Sequence, residues 1–393
     1  MLDLQTQRAT PEERDLIATL EQLSLRSGSH SPSLATMLEA LPDIDVKIDA
    51  CYLSNPLATD LFWSYFNSDA SADPRFFMRL LEAYPSQNRI IAERLAPTIG
   101  VDPGGLFIAN GATEAIQAIL HNYSSHVHVN VPTFSPYYEF ATPKHEVTMF
   151  QLDQDEDFIL DPERYVRSVN KSGADTAILI TPNNPDGYQI PDDHLEWILS
   201  QLSGLRTVIV DESFIHFARA ADSHRLPTLV GLTEKHPNVT VVKSMSKDFG
   251  IAGIRAGYAI MSPSRVNELL DHGYLWNING LAEYFFSLFS RQPFLDEYRT
   301  VLRTYNGYIS DFISRTARAG FTRGFPTSSN FQLMQITNGM TSELVTTLLL
   351  LRHGVYVRNC ADKIGLDGEF IRVAIRTESE NGHIFQALED VLA

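Results

Sequence analysis

The chain of 393 residues is poor in cysteine, in lysine and in long apolar runs. Its two cysteines, Cys51 and Cys360, are too few and too far apart for a disulfide framework or a cysteine-based zinc site. No resident metal is expected, and the cysteine pair reads as reduced thiols of a cytoplasmic protein. Only seven of the 31 basic residues are lysines (Lys47, Lys144, Lys171, Lys235, Lys243, Lys247 and Lys363), so any amine chemistry must come from that short set. No stretch approaches the roughly 20 apolar residues of a spanning helix. The start, MLDLQTQRATPEERDL, has no apolar segment after a basic one, so no signal peptide is expected. Asp+Glu number 48 against 31 Lys+Arg, a net charge of −17. A general nucleic-acid binder needs a concentrated basic face and is excluded on that ground. An anionic membrane surface is equally disfavoured. There is no repeat, no low-complexity tract and no Pro/Gly/Ser linker.

What is present is a globular composition, 44% hydrophobic and 20% charged. Thr10-Pro11-Glu12-Glu13 has the form of a helix start, with a capping Thr, Pro at the first position and Glu three residues after the cap. Residues 31–60 read as a loop-rich arm. Short β-branched runs follow: LFIAN, VHVNVP, VTMFQL, TAILITP, TVIVDE and VTVVKS. They alternate with helical stretches such as GATEAIQAILHNY and PDDHLEWILSQL. That rhythm indicates βαβ units around a mostly parallel sheet. A long helical stretch from EYFFSLF to RTARAG leads into NFQLMQI, SELVTTLLLLRHG, VYVRN, FIRVAIR and HIFQALEDVL, an α+β pattern. The organisation read is an N-terminal helix and arm (1–60), a large α/β domain whose mostly parallel sheet is flanked by helices (61–285), and a smaller α+β C-terminal domain (286–393).

Ligands of open α/β sheets bind beyond the carboxyl ends of the strands, and four such places carry polar residues. Asn110-Gly111-Ala112-Thr113 turns a strand into a helix, which suits an anion at the helix N-terminus; the alternative is a helix capped by Thr113. Thr181-Pro182-Asn183-Asn184-Pro185-Asp186-Gly187 demands a turn, and Asn183 either serves that turn or donates to a ligand. Asp211 ends VIVD, where a carboxylate is costly unless it faces a cation, a metal or a protonated nitrogen; capping the next helix is the alternative. Ser244 to Tyr258 packs Ser244, Ser246, Lys247, three glycines and Arg255 behind a strand. Two hydroxyls and a guanidinium are phosphate-directed donors, and a lysine among cationic and donor groups is a usable nucleophile. One ligand satisfies the set: a phosphate, a basic ring nitrogen and a carbonyl that lysine captures. Pyridoxal 5′-phosphate has all three.

SMSKDFGIAGIRAGY resembles the lysine motif SxSKxxGxxGxRxGY of fold-type I pyridoxal-phosphate enzymes, the class I/II aminotransferase family. TPNNPDGY, VIVDESF, VPTFSPYY, AYPSQ and FIRVAIRTESEN resemble further segments of that family, so the likeness runs from about residue 50 to the end. The resemblance implies an aspartate-aminotransferase-like fold and a homodimer with shared active sites. It assigns catalytic roles to Lys247, Asp211 and Asn183. It implies phosphate binding by Gly111, Ala112, Thr113, Ser244, Ser246 and Arg255, a ring-stacking Phe134, and Tyr84 reaching the neighbouring subunit's phosphate. Arg372 would grip a substrate carboxylate, with Arg358 and Arg376 as candidates for a second anion. GVYVRN and LWNINGLAEYF resemble the branch of histidinol-phosphate aminotransferase and threonine-phosphate decarboxylase. Phe214 stands where the family has a tyrosine, and Arg376 where the aminotransferases have glycine. The activity expected is an aminotransferase acting between an amino acid and a 2-oxo acid, the amino acid carrying a distal phosphate, phosphonate or other anion; the alternative is a decarboxylase resembling the threonine-phosphate enzyme.

Overall fold

In the computed structural model, residues 10–26, 31–142, 144–219, 226–320 and 322–393 are described. The chain forms two compact units. One comprises residues 54–184 and 188–306; the other comprises residues 1–53, 185–187 and 307–393.

The small unit holds strands β1 (Ile48–Ala50), β9 (Thr322–Gly324), β10 (Phe331–Ile336), β11 (Val355–Asn359) and β12 (Phe370–Ala374). The large unit holds β2 (Leu106–Ala109), β3 (His126–Val131), β4 (Glu146–Gln151), β5 (Thr176–Ile180), β6 (Thr207–Asp211), β7 (Val239–Ser244) and β8 (Gly257–Ile260).

The large unit is built on a seven-stranded sheet in the order β2-β8-β7-β6-β5-β3-β4. The β7-β6-β5-β3-β4 run is parallel, and β8 alone runs antiparallel to both its neighbours. Every residue of β2, β5, β6, β7 and β8 is buried. Helices on both faces explain why these strands lack polar alternation. Packing against the sheet comes from the helix Ala112–Tyr123, which buries Ala115, Ile116, Ile119 and Leu120 onto Phe107, Val129, Ile178 and Ile209. The fold class is therefore the expected one, a mostly parallel sheet flanked by helices.

The small unit carries a five-stranded sheet in the order β1-β11-β12-β10-β9. Here β1 pairs parallel with β11, more than 300 positions later in the chain. The stretch 31–60 combines loop with the helix Leu34–Ala40, capped by Ser33, then β1, then the start of the helix Pro56–Ala72, capped by Asn55. A three-residue strand leaves no periodicity to read, and only its distant partner defines it. The long helical stretch after residue 280 is two helices, Gly280–Phe289 and Gln292–Ala319. Thr10 does form its box with Glu13, each side chain accepting from the other's backbone N–H at 3.2 and 2.7 Å. No helix among the described residues is long and apolar enough to cross a membrane.

Candidate active site

Asn183, Asp211 and the Ser244–Lys247 turn sit at the carboxyl ends of the parallel strands β5, β6 and β7. Asp211 closes β6 and is buried. Its carboxylate accepts from the Tyr137 hydroxyl at 2.8 Å and from the Ser213 N–H at 2.8 Å. Both donors are neutral, and burial raises its pKa above the ordinary carboxylate value, offset in part by Ser213, Tyr137 and Lys243. A buried carboxylate held by neutral donors is matched by a protonated ring nitrogen placed against it. Asp211 is not a helix cap: the next helix, Ile215–Ala218, has no side-chain cap.

Asn183 follows β5. Its amide donates to the Pro132 carbonyl at 3.0 Å and accepts from the Thr133 hydroxyl at 2.8 Å. Thr133, Phe134 and Tyr137 all come from the segment after β3, so one turn orients Asn183, supplies Asp211 with a donor and presents the half-buried Phe134 ring, 6.3 Å from that of Tyr137.

The third element is a cradle. Gly111 has φ +79° and opens the helix Ala112–Tyr123, which has no side-chain cap, so Thr113 lies inside the helix rather than capping it. A Cβ on Gly111 would lie 2.5 Å from Nη2 of Arg255. A Cβ on Gly257, the register partner of Ser244, would lie 2.6 Å from the Ala112 nitrogen. Both glycines are thus required by close approach, and together they bring a guanidinium over an uncapped helix N-terminus. Arg255 is itself left-handed, φ 61°, with Nη1 donating to the Ala252 carbonyl at 2.9 Å. Ser244 donates its backbone N–H to the Ser213 hydroxyl at 3.0 Å, and its own hydroxyl accepts from the Ser246 N–H at 3.3 Å. Backbone N–H groups, hydroxyls and a guanidinium converging on one helix start are the donor set of a phosphate. Lys247 follows on the same turn, half-buried, its carbonyl accepting from the Asn55 N–H at 3.0 Å. The residues of the large unit therefore fit the phosphate, ring and carbonyl of pyridoxal phosphate.

Tyr84 stands apart from this group, 89% exposed, with its ring 6.2 Å from that of Trp276.

The three remaining arginines lie in the small unit. Arg358 of β11 and Arg372 of β12 are directly paired in register. Arg372 is buried, donates to the Cys51 carbonyl at 2.9 Å and stacks over Phe331 at 5.4 Å; burial pulls its pKa below the usual guanidinium value. Arg358 donates to both oxygens of Asp362 at 2.7 Å, and Lys363 reaches the same carboxylate at 3.2 Å. Arg376 lies 3.5 Å from Glu380. Sequence reading missed Tyr137, Thr133 and Lys243, whose partners Asp211, Asn183 and the Glu212 carbonyl lie 74, 50 and 31 positions away; it also missed Ser213, Asp362 and Lys363, whose partners are local but carry no motif. The one sequence signal was a buried-strand lysine, Lys243, flanked by Val and Ser.

The family description Aminotransferase class I and II matches residues 81–388, so the chain belongs to that family. It is a family of pyridoxal-phosphate enzymes. An L-serine phosphate decarboxylase of Campylobacter jejuni is 43% identical over 380 residues, covering 96% of this chain and 97% of that protein. One from Sulfurospirillum multivorans is 39% identical, covering 94% of each. A solved decarboxylase structure from Sulfurospirillum multivorans superposes with TM-score 0.91 at 38% identity, covering 97% of each chain. The histidinol-phosphate aminotransferase of Clostridium acetobutylicum gives TM-score 0.76 at 25% identity, over 88% of this chain and 98% of that one. These likenesses correct the activity expected from sequence. The motifs mark the cofactor, which both reactions share, whereas the more similar proteins are decarboxylases and not aminotransferases. The amino-acid and 2-oxo-acid substrate pair falls with that expectation.

Proposed function

We propose that the chain is a pyridoxal-phosphate-dependent decarboxylase of O-phospho-L-serine, releasing CO2 and taking up a proton to form ethanolamine phosphate. The observation that carries this is the 43% identity, over nearly the whole of both chains, to an L-serine phosphate decarboxylase. The paired Arg358 and Arg372 suit a substrate with two anionic groups.

Pyridoxal phosphate, when bound, supplies an electron-accepting ring conjugated to the substrate Cα. Lys247 anchors it covalently. Asp211 keeps a proton on the ring nitrogen. Gly111, Ala112, Thr113, Ser244, Ser246 and Arg255 hold its phosphate, Phe134 covers one ring face, and Asn183 orients the ring oxygen. Phe214, apolar and buried, leaves Asn183 as the main donor there. Arg372 and Arg358 would hold the substrate's carboxylate and phosphate, with Arg376 four positions after Arg372. The two anionic groups of the substrate would give these arginines separate handles with which to orient its carboxylate. The Lys247 amine would deliver the proton to Cα.

The working form is a homodimer in which Tyr84 serves the neighbouring subunit's phosphate. Its support is the exposed apolar group of Phe77, Met78, Leu81, Tyr84 and Trp276 in the large unit. The protein acts in the cytoplasm. Incubation with O-phospho-L-serine tests the activity: ethanolamine phosphate by phosphorus NMR with equimolar CO2 is expected. A phosphorylated 2-oxo acid, with no CO2, would refute it. Sedimentation tests the dimer, and a fully active monomer would refute that part.

A further inference from the structure

Beneath the cofactor residues lies a buried charged group that the proposed reaction does not use. Lys243, in β7, is 1% exposed, and Asp248 is fully buried. Nζ of Lys243 is ion-paired with Asp248 Oδ2 and also donates to the backbone carbonyl of Glu212 at 3.2 Å. Asp248 Oδ2 lies 2.9 Å from Nδ1 of His216, which is itself 2.9 Å from the Tyr298 hydroxyl. Phe249 stacks on Tyr298 at 4.2 Å and meets the His216 ring edge-on at 5.7 Å. Glu212 is also fully buried, its carboxylate accepting from Thr228 and from the Leu229 N–H. The charged or titratable groups facing this pair are therefore His216, Glu212, Asp211, Tyr258 and Tyr298.

The positions in the chain give the group its meaning. Glu212 directly follows Asp211, and Asp248 directly follows Lys247. One ammonium therefore holds the main chain next to the acid and the side chain next to the amine. We propose that Lys243 and Asp248 are positioning residues, a buried tie that sets the spacing and orientation of Asp211 and Lys247 across the gap between β6 and the turn after β7. The proposal rests on the cofactor roles of those two residues in the proposed function.

Stability alone is a poor reason for such a pair. Removing two charges from water costs several kcal/mol per ion, and an apolar pair of similar volume is commonly as stable or more so. Lys243 is also unsuited to the amine chemistry itself, since its ammonium is already held by Asp248 and by the Glu212 carbonyl. The pair fixes a direction and a distance, which apolar packing does less sharply. Burial opposes ionisation of Asp248, but Lys243 and His216 outweigh it, so its pKa lies below the usual carboxylate range.

The test uses holoenzyme carrying K243M/D248L, which removes both charges and keeps the volume, with K243R as the conservative control. Three quantities are read: the melting temperature, the pH at which the bound cofactor's visible absorption changes, and kcat apart from KM. Expected for K243M/D248L is a folded protein with melting temperature at or above wild type, a displaced absorption midpoint, and kcat lower by about 10–100-fold with little change in KM, the scale of a small misplacement at a reacting centre. K243R should recover most of both. A folded double variant with wild-type absorption midpoint and kcat would overturn the tie. Should the double variant fail to fold, D248N gives the same reading, and an unchanged midpoint there would overturn it equally. The absorption midpoint is independent of which amino acid is the substrate. A protein inactive on O-phospho-L-serine would therefore sink the proposed function while leaving this inference to stand or fall on its own.

Discussion

Arg358 and Arg372 stand directly opposite each other on the antiparallel strands β11 and β12. Two guanidiniums at paired positions repel, and a cross-strand like-charge pair is destabilising by itself. Asp362 relieves Arg358, while Arg372 has a backbone carbonyl and the Phe331 ring. An anion bound between them would relieve the repulsion.

Inorganic phosphate should therefore raise the melting temperature of the wild-type protein, and raise it less in R358Q. Calorimetry with and without phosphate reads this. At 100 times its dissociation constant a ligand stabilises by about 2.7 kcal/mol, so a saturating titration resolves the difference. R372K, which removes the two-pronged geometry and keeps the charge, should lower kcat/KM by about 10–100-fold, the loss expected for one strong charge-assisted contact.

Substituting Asp211 by Asn should separate stability from catalysis. The amide preserves shape and removes a buried charge held only by neutral donors. Apo-protein stability should hold or rise by about 1 kcal/mol, because the desolvation penalty disappears. Turnover should fall by at least about 100-fold, since the ring nitrogen loses its counter-charge. Denaturant melts of the apo form and rates of the loaded form check the two halves separately.

The cradle glycines make a steric prediction. G111A would place a methyl 2.5 Å from Arg255 Nη2 at a residue with φ +79°. The strained backbone and the displaced guanidinium should cost about 1–3 kcal/mol of stability and weaken cofactor affinity by tenfold or more. Equilibrium dialysis of the cofactor and urea denaturation measure these.

Glu212 sets a pH dependence. Burial pushes its pKa up to about 7, against the offsetting Lys243 charge and the Leu229 and Thr228 hydrogen bonds. A carboxyl with a raised folded-state pKa binds its proton more tightly in the native state. Its contribution is therefore complete below the unfolded value and is lost as pH rises towards 7. Wild type should lose about 2–4 kcal/mol relative to E212Q between pH 4.5 and pH 7. Urea melts of the two proteins across that range would show parallel curves if Glu212 has no such role.

Much of the cofactor side is legible in the sequence itself. Strands buried on both faces read as unbroken β-branched runs, and the residue just past each one is where an open α/β sheet binds ligand. Gly111, Asn183, Asp211, Ser244 and Arg255 can be picked out on those grounds, because each lies within a few residues of a local signal. The same locality makes the reaction illegible. Transamination and decarboxylation call on the same cofactor, so motifs that suit it name the cofactor and not the bond that breaks.

What the chain by itself determined is thus the α/β class, the strand ends and the chemistry of the cofactor. Tertiary structure decided everything that depends on partners distant in sequence. Tyr137 meets Asp211 across 74 positions, Lys243 reaches the Glu212 carbonyl across 31, and Cys51 accepts from Arg372 across 321. β1 has three residues and becomes a strand only because β11 lies beside it. Periodicity reports which face of an element is buried. It carries no record of which polar group will be waiting there, and that pairing, made as the sheets close, turns a set of donors into a site.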